Sequence, residues 1–483
     1  MLNVCLLHKR TIATIEEQSS SWKRVKLSAF VAAYQHSNTK SFLFPAERLD
    51  SKVTGRSRMS VLSQHKTTVN VIHLGISFFF IFFAFSSCSF IEEIVISTLS
   101  EERNLSKHAG YNSLAIIYAL FTVCNFIAPT IIYTIGPKWS LVLSSSTYAI
   151  FQAGFLFLNE TFLYISSALL GLGAAILWTS QGSYLSLNSN EKTAGLHSEN
   201  FSLICGGIFL FVVFLPGETA KIDDSTIYLL YGVFTVVTII AIVLLSLLRM
   251  PEVKPKPKIP QAQVFKSLFQ LMVTKPIICL LITSAFTGIQ LSFWSGVYPT
   301  SIGFTQKLHA NTRLIVALNA IAQGSGQATG GFLFGILSSK IRKLSREYVV
   351  LISTVIYLLV SVLIYINLPL VAPFAPTDQV GIIKPEIWIA LTCGYFLGIG
   401  DAVLNTQITS FIITKYTEQN TEVFSLYKFS QHFFAFAGFF YGPRLHLGYQ
   451  LTLLAVGSVV GCVAFFLAEH STKKTAKVEV VKN

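Results

Sequence analysis

Twelve apolar runs, each close to the length needed to cross a bilayer, divide this 483-residue chain and constrain its fold more than any other feature. They fall at roughly 70–96, 111–135, 138–158, 161–188, 200–216, 226–248, 275–298, 312–338, 348–370, 386–414, 424–441 and 448–468. In hydrocarbon every backbone N–H and C=O must be satisfied within the protein, which leaves helices or closed barrels. Barrel strands are shorter and alternate between lipid-facing and lumen-facing residues, so these runs predict an all-α membrane protein. Charged residues make up 12% of the chain, about half of what a soluble domain carries.

The net charge of +13 suggests a nucleic-acid ligand until the basic residues are placed. With the N-terminus in the cytosol, the cytosolic connections and C-terminal tail hold 17 Lys and Arg and the opposite side seven; residues 1–68 add 11 more beside four acids. Both termini are therefore expected in the cytosol by the positive-inside rule. The basic balance records topology and contact with anionic lipid, and no nucleic-acid partner is expected.

The chain divides at RMPEVKPKPKIPQ (249–261), where alternating proline and lysine favour an extended linker. Six runs precede it and six follow. GLGAAILWT (171–179) in the fourth run aligns with GIGDAVLNT (398–406) in the tenth, with identity at Gly171/Gly398, Gly173/Gly400, Ala175/Ala402, Leu177/Leu404 and Thr179/Thr406. ENFSL (199–203) is echoed by EVFSL (422–426), and the offsets of 227 and 223 residues place equivalent runs in equivalent positions. Such a duplication predicts two pseudo-symmetric halves. The expected organisation is a basic, disordered tail over 1–68, six-helix bundles over 69–248 and 275–468, a cytosolic linker over 249–274 and a tail over 469–483.

Two six-helix halves in parallel repeat, joined by a basic linker, describe the major facilitator superfamily. LLGLGAAILWTSQGSYLS (169–186), GYNSLAIIYALF (110–121) and GIGDAVLNTQI (398–408) resemble the uncoordinated-93-like family within it. FTGIQLSFWSGVYPTSIG (286–303) and GGFLFG (330–335) are most similar to its branch called major facilitator superfamily domain-containing protein eleven. The resemblance covers about residues 69–468. It implies either carriage of a small solute or ion, or regulation of a potassium channel or escort of a receptor. The chain departs from the wider superfamily between the second and third runs, where IGPKWS (135–140) replaces an acidic and basic signature loop. It also carries Gln290 and Gln327 where the branch has acids.

The fourth run places Trp178 and Gln181 on one helical face, one turn after the small residues Gly171 and Gly173. Glycines there let helix backbones approach, and Gly398 and Gly400 are expected to do the same in the tenth run. A polar face is costly against lipid, so Trp178 and Gln181 are expected to face the space between the halves; hydrogen bonding between helices without any ligand is the alternative. The tenth run contributes Asp401, Asn405 and Gln407. A carboxylate within a span costs at least about 2.5–3.5 kcal/mol on insertion scales, which makes a functional role the default. Lys428, with Gln431 three residues on, is the natural partner of Asp401, although helical rise sets them about 10 Å apart along the membrane normal.

Glu92 and Glu93, near the outer end of the first run, are expected to meet water. His197 and His432 have no second ligand in sequence reach, and the seven scattered cysteines show no metal or disulfide spacing. No phosphate loop, serine elbow or carboxylate pair occurs, so neither enzyme activity, cofactor nor metal is expected. Asn104 and Asn159 head glycosylation sequons on the outer side, whereas Asn200 lies in the cytosol. Plasma membrane and endomembrane are not distinguished.

Overall fold

A computed structural model describes residues 51–100, 103–106, 108–188, 202–214, 224–249, 261–309, 311–336 and 345–482. Two compact units, Met1–Ser63 and Gln64–Asn483, divide the chain; of the first, only residues 51–63 are described, as the start of a helix. Residues 1–50, His197, Asn200 and the proline-lysine stretch 250–260 lie outside the described residues.

In the first half, α1 (Ser51–Leu99), α2 (Ala109–Cys124), α3 (Ala128–Ile135), α4 (Pro137–Gly154), α5 (Glu160–Asn188), α6 (Ser202–Phe214) and α7 (Asp224–Ser246) follow in order. Helix α8 (Gln261–Met272) precedes the second half. That half comprises α9 (Lys275–Ser292), α10 (Tyr298–Phe304), α11 (Thr312–Gly331), α12 (Arg346–Asn367), α13 (Ile387–Lys415), α14 (Asn420–Tyr441) and α15 (Leu447–Lys482). Among the described residues, eight helices are long and apolar enough to cross a membrane, and the bent pair α2–α3 makes nine. This is a multi-pass integral membrane protein. The remaining expected runs correspond to α6, which is short, and to α11 and α14, whose buried faces carry many polar side chains.

Packing repeats between the halves. In the first half α5 packs on α2 and α4, and α4 on α7; in the second α13 packs on α11 and α12, and α12 on α15. The halves meet where α6 lies against α11 and where α14 lies against α2. These two contacts exchange under the same duplication that relates the sequence motifs. The repeated glycines explain the shared spacing. A Cβ at Gly171 would strike the Ile117 carbonyl oxygen of α2, and one at Gly398 the Gln323 carbonyl oxygen of α11. A Cβ at Gly173 would strike Thr147 of α4, and one at Gly400 would come within 2.7 Å of the Tyr357 ring of α12.

Three expectations need correction. The second run is not one straight helix: α2 and α3 meet at 66°. Pro129, in the first turn of α3, has no N–H for the Asn125 carbonyl four residues earlier, and such a loss kinks a helix. The freed carbonyl accepts the Ser425 hydroxyl of α14 instead, so the bend is built into the junction between halves. The basic tail assigned to 1–68 is helical from Ser51, and the C-terminal tail is helical through Lys482. The linker assigned to 249–274 contains α8, which rests against α14 and α3.

Candidate functional site

A cavity of about 180 Å³ lies between the halves, lined by residues from both. Trp178, Gln181, Asp401, Asn405, Lys428 and Gln431 all line it. Gln407 does not: it is buried on the other side of α13, with its amide 3.5 Å from the Phe334 carbonyl. Six residues from Asp401 is about 600° of helical rotation, well away from the face it shares with Asn405.

Asp401 sits midway along α13 and is held by three amides. Gln290 Nε2 donates to Oδ1 at 2.8 Å, Asn405 Nδ2 donates to the same oxygen at 2.8 Å, and Gln327 Nε2 donates to Oδ2 at 3.0 Å. Gln290 comes from α9 and Gln327 from α11, so the acid ties three helices of the second half together. Tyr357 of α12 donates its hydroxyl to Gln290 Oε1 and adds a fourth helix.

Asp401 and Lys428 are joined by a chain of amides that spans the offset between them. Lys428 Nζ donates to Gln431 Oε1 at 2.8 Å, one turn farther along α14. Gln431 Nε2 lies 3.4 Å from Asn405 Oδ1, and Asn405 donates to Asp401. Lysine can only donate and an ionised carboxylate can only accept. Every amide between them is therefore oriented, nitrogen toward the acid and oxygen toward the cation. The axial gap read from helical rise is closed because Asn405 reaches one turn toward Lys428 while Gln431 reaches one turn back.

The lysine is also caged by rings. Its Nζ is 4.3 Å from the Trp178 ring centre and 4.6 Å from that of Tyr427. An ammonium in this position is attracted by the ring faces. Trp178 packs on Phe82 of α1 with centroids 5.0 Å apart, so the cage takes one wall from each half. Tyr118, Phe121 and Tyr148 extend the aromatic lining. His432 stacks on Phe121, and among the described residues no group of three or more His, Cys, Asp or Glu is placed to hold a metal.

Trp294 reaches the cavity from an irregular turn. Pro299 removes the N–H that would bond Ser295 four residues earlier, and Phe293–Val297 adopts a π-helical turn there. Such turns often mark functional sites. The Trp294 indole nitrogen is buried, close to Asp401 but outside hydrogen-bonding geometry with any group. Only the proline spacing hinted at this in the sequence, and the roles of Gln290, Gln327 and Trp294 toward Asp401 were not read from it.

Both ends of the cavity are bounded by contacts between halves. At one end Tyr133 of α3 donates to Glu422 of α14 at 2.9 Å, and Ser183 of α5 lies 3.4 Å from Thr421. Toward the other, Phe90 of α1 packs 6.3 Å from Trp294. Glu92 and Glu93 sit beyond Phe90 and are buried, contrary to the expectation that they meet water. Glu93 accepts the Tyr111 backbone N–H at 2.9 Å and lies 3.1 Å from His108 Nδ1; neither Glu92 oxygen meets a donor. The sequence pattern missed this because the start of α2, at Gly110 and Tyr111, packs against Glu93 near the end of α1.

Comparison with known proteins agrees with this architecture. The chain is similar in structure to a crystal structure of the major facilitator superfamily transporter FucP in the outward conformation, with a TM-score of 0.58 at 13% identity, covering 83% of this chain and 99% of that one. In sequence it is 34% identical over 436 residues to the UNC93-like protein MFSD11 of Xenopus tropicalis, covering 84% of this chain and 97% of the relative. It is 23% identical over 478 residues to protein unc-93 homolog A of Xenopus laevis, covering 86% and 97%. Residues 100–466 match the family described as ion channel regulatory protein UNC-93. A major facilitator superfamily fold with that match over most of its length places the chain in the UNC-93 family.

Proposed function

We propose that this protein carries a small solute across its membrane by alternating access of the central cavity. The observation that carries this reading is the polar chain from Lys428 to Asp401, buried between two pseudo-symmetric halves and open to the cavity. A buried acid and cation could satisfy each other by direct contact. Here they are spread along the cavity wall, which exposes polar groups to whatever occupies it. Cross-half contacts at both ends supply the elements that would break in turn. Tyr133–Glu422 lies just before IGPKWS (135–140), the stretch that replaces the superfamily's signature loop, and Ser425–Asn125 adds a second contact between the halves. The proposal includes twelve spans, cytosolic termini, and site roles for Trp178, Gln181, Asp401, Asn405, Lys428 and Gln431.

The family description favours a second reading, in which the fold regulates an ion channel without transporting. Two measurements separate them. Purified protein in liposomes should take up labelled solutes from a panel of carboxylates, amines, amino acids and sugars, saturably and with loss in Asp401→Asn. A channel subunit recovered in stoichiometric amount from mild detergent, with no solute moved by the liposomes, would overturn the carrier reading.

A further inference from the structure

We infer that the central cavity binds a small organic anion, a carboxylate on a body no larger than one ring; this rests on the proposed site but not on transport through it. An ionised carboxylate has about four lone-pair positions. Gln290, Asn405 and Gln327 occupy three of those on Asp401. The acid is therefore committed to the protein and presents little to a ligand cation.

The donors are differently placed. Lys428 is a donor-only cation in the cavity wall. Its Gln431 and ring contacts hold the ammonium at the surface of the cavity rather than withdrawing it. The Trp294 N–H and the Ser89 hydroxyl both line the cavity, both residues are 8% exposed, and neither atom has a hydrogen-bond partner. An unsatisfied buried donor is costly, and a ligand oxygen would satisfy it. A cationic ligand would be repelled by Lys428 and could use only the Ser89 hydroxyl, which accepts as well as donates, whereas the Trp294 N–H can only donate. An anion gains a charge-assisted bond at Lys428.

Size follows from volume. The cavity, about 180 Å³, is well below drug-sized pockets. It is slightly larger than an apolar cavity of about 150 Å³ known to admit benzene. Phe82, Phe85, Tyr118, Phe121, Tyr148 and Trp178 would surround the apolar part of such a ligand.

The test is binding to the purified full chain in mild detergent, read as a shift in melting temperature. Benzoate, phenylacetate and 4-methylpentanoate are compared with benzamide and benzylamine. The carboxylates should stabilise the protein, and their uncharged and cationic counterparts should not. Lys428→Gln should weaken benzoate binding about tenfold, the loss of one charge-assisted bond, while Lys428→Arg should retain most of it. Should Lys428→Gln fail to fold, Trp294→Phe removes the N–H together with part of the ring and should weaken benzoate several-fold, with benzamide binding as the control for the lost ring surface. Equal binding of benzamide or benzylamine, no binding of any carboxylate, or benzoate binding indifferent to both substitutions would overturn the inference. Benzoate that binds but is not taken up by liposomes would count against the carrier reading alone. Uptake of amines or sugars by a protein that binds no carboxylate would count against the anion alone.

Discussion

Asp401→Asn and Lys428→Gln, made singly and together, test whether the two charges communicate through the amide chain. Asp401 accepts three N–H bonds. A hydrogen bond to a charged group contributes about 1.5–3 kcal/mol and a neutral one about 0.5–1.5. Asparagine at 401 keeps the two bonds to Oδ1 as neutral ones and aims its own N–H₂ at the third donor, Gln327, for a loss of about 4 kcal/mol. It also leaves Lys428 buried without its anion, and breaking a buried pair costs about 3–5 kcal/mol in total. Lys428→Gln should cost less, because three amides still hold Asp401. The double variant should be more stable than the sum of the singles predicts, with a coupling of about 1–3 kcal/mol. Unfolding by titration with a denaturing detergent measures all four proteins. Repeating the cycle in Asn405→Leu, which cuts the chain between the charges, should remove most of the coupling. Costs that add to within about 0.5 kcal/mol, the behaviour of unconnected sites, would refute the reasoning. So would a coupling that survives Asn405→Leu unchanged.

Gly173→Leu should lower the amount of folded protein, since overpacking costs about 1–3 kcal/mol; because Thr147 alone supplies the nearest atoms, Gly173→Ala should be rescued by Thr147→Ala. Gly398→Ala meets backbone at Gln323 and Gln327, so no side-chain truncation should rescue it; normal thermal stability of either glycine variant would show that the helices separate more easily than their geometry implies. Tyr133→Phe removes a bond to Glu422 worth about 1.5–3 kcal/mol, so spin labels at Ile135 and Glu418 should report a new population at longer distance; an unchanged distribution would mean that Tyr133 does not hold that end closed. Asn104, exposed in the loop after α1, should carry glycan, and Asn104→Gln should abolish the mobility shift caused by glycosidase; a glycosidase-insensitive protein would overturn the proposed orientation.

Span positions, the division into halves and the duplicated Gly-x-Gly were legible in the sequence because each depends on local composition. A bilayer demands about 20 apolar residues per crossing, and that demand is written along the chain whatever packs beside it. The prominence of Asp401 was legible for the same reason: an acid in an apolar run needs an explanation wherever it points. Its partners were not. Gln290 lies 111 residues away and Gln327 lies 74 away, and no periodicity joins positions on separate helices. Gln407 shared the polarity of its neighbours, but the rotation of α13 turned it from the cavity. Glu92 and Glu93 looked solvated because they stand near the end of a run; the start of α2 packs against Glu93 there, and both are buried. The bend at Pro129 lay inside a run expected to be one helix, and only the packed structure set Ser425 of the other half against the carbonyl it freed. The sequence alone thus determined which segments enter the membrane, through free energies that each segment carries with it. The tertiary structure decided which polar groups meet there, because a hydrogen bond requires two groups at one place and the chain brings them from distant helices.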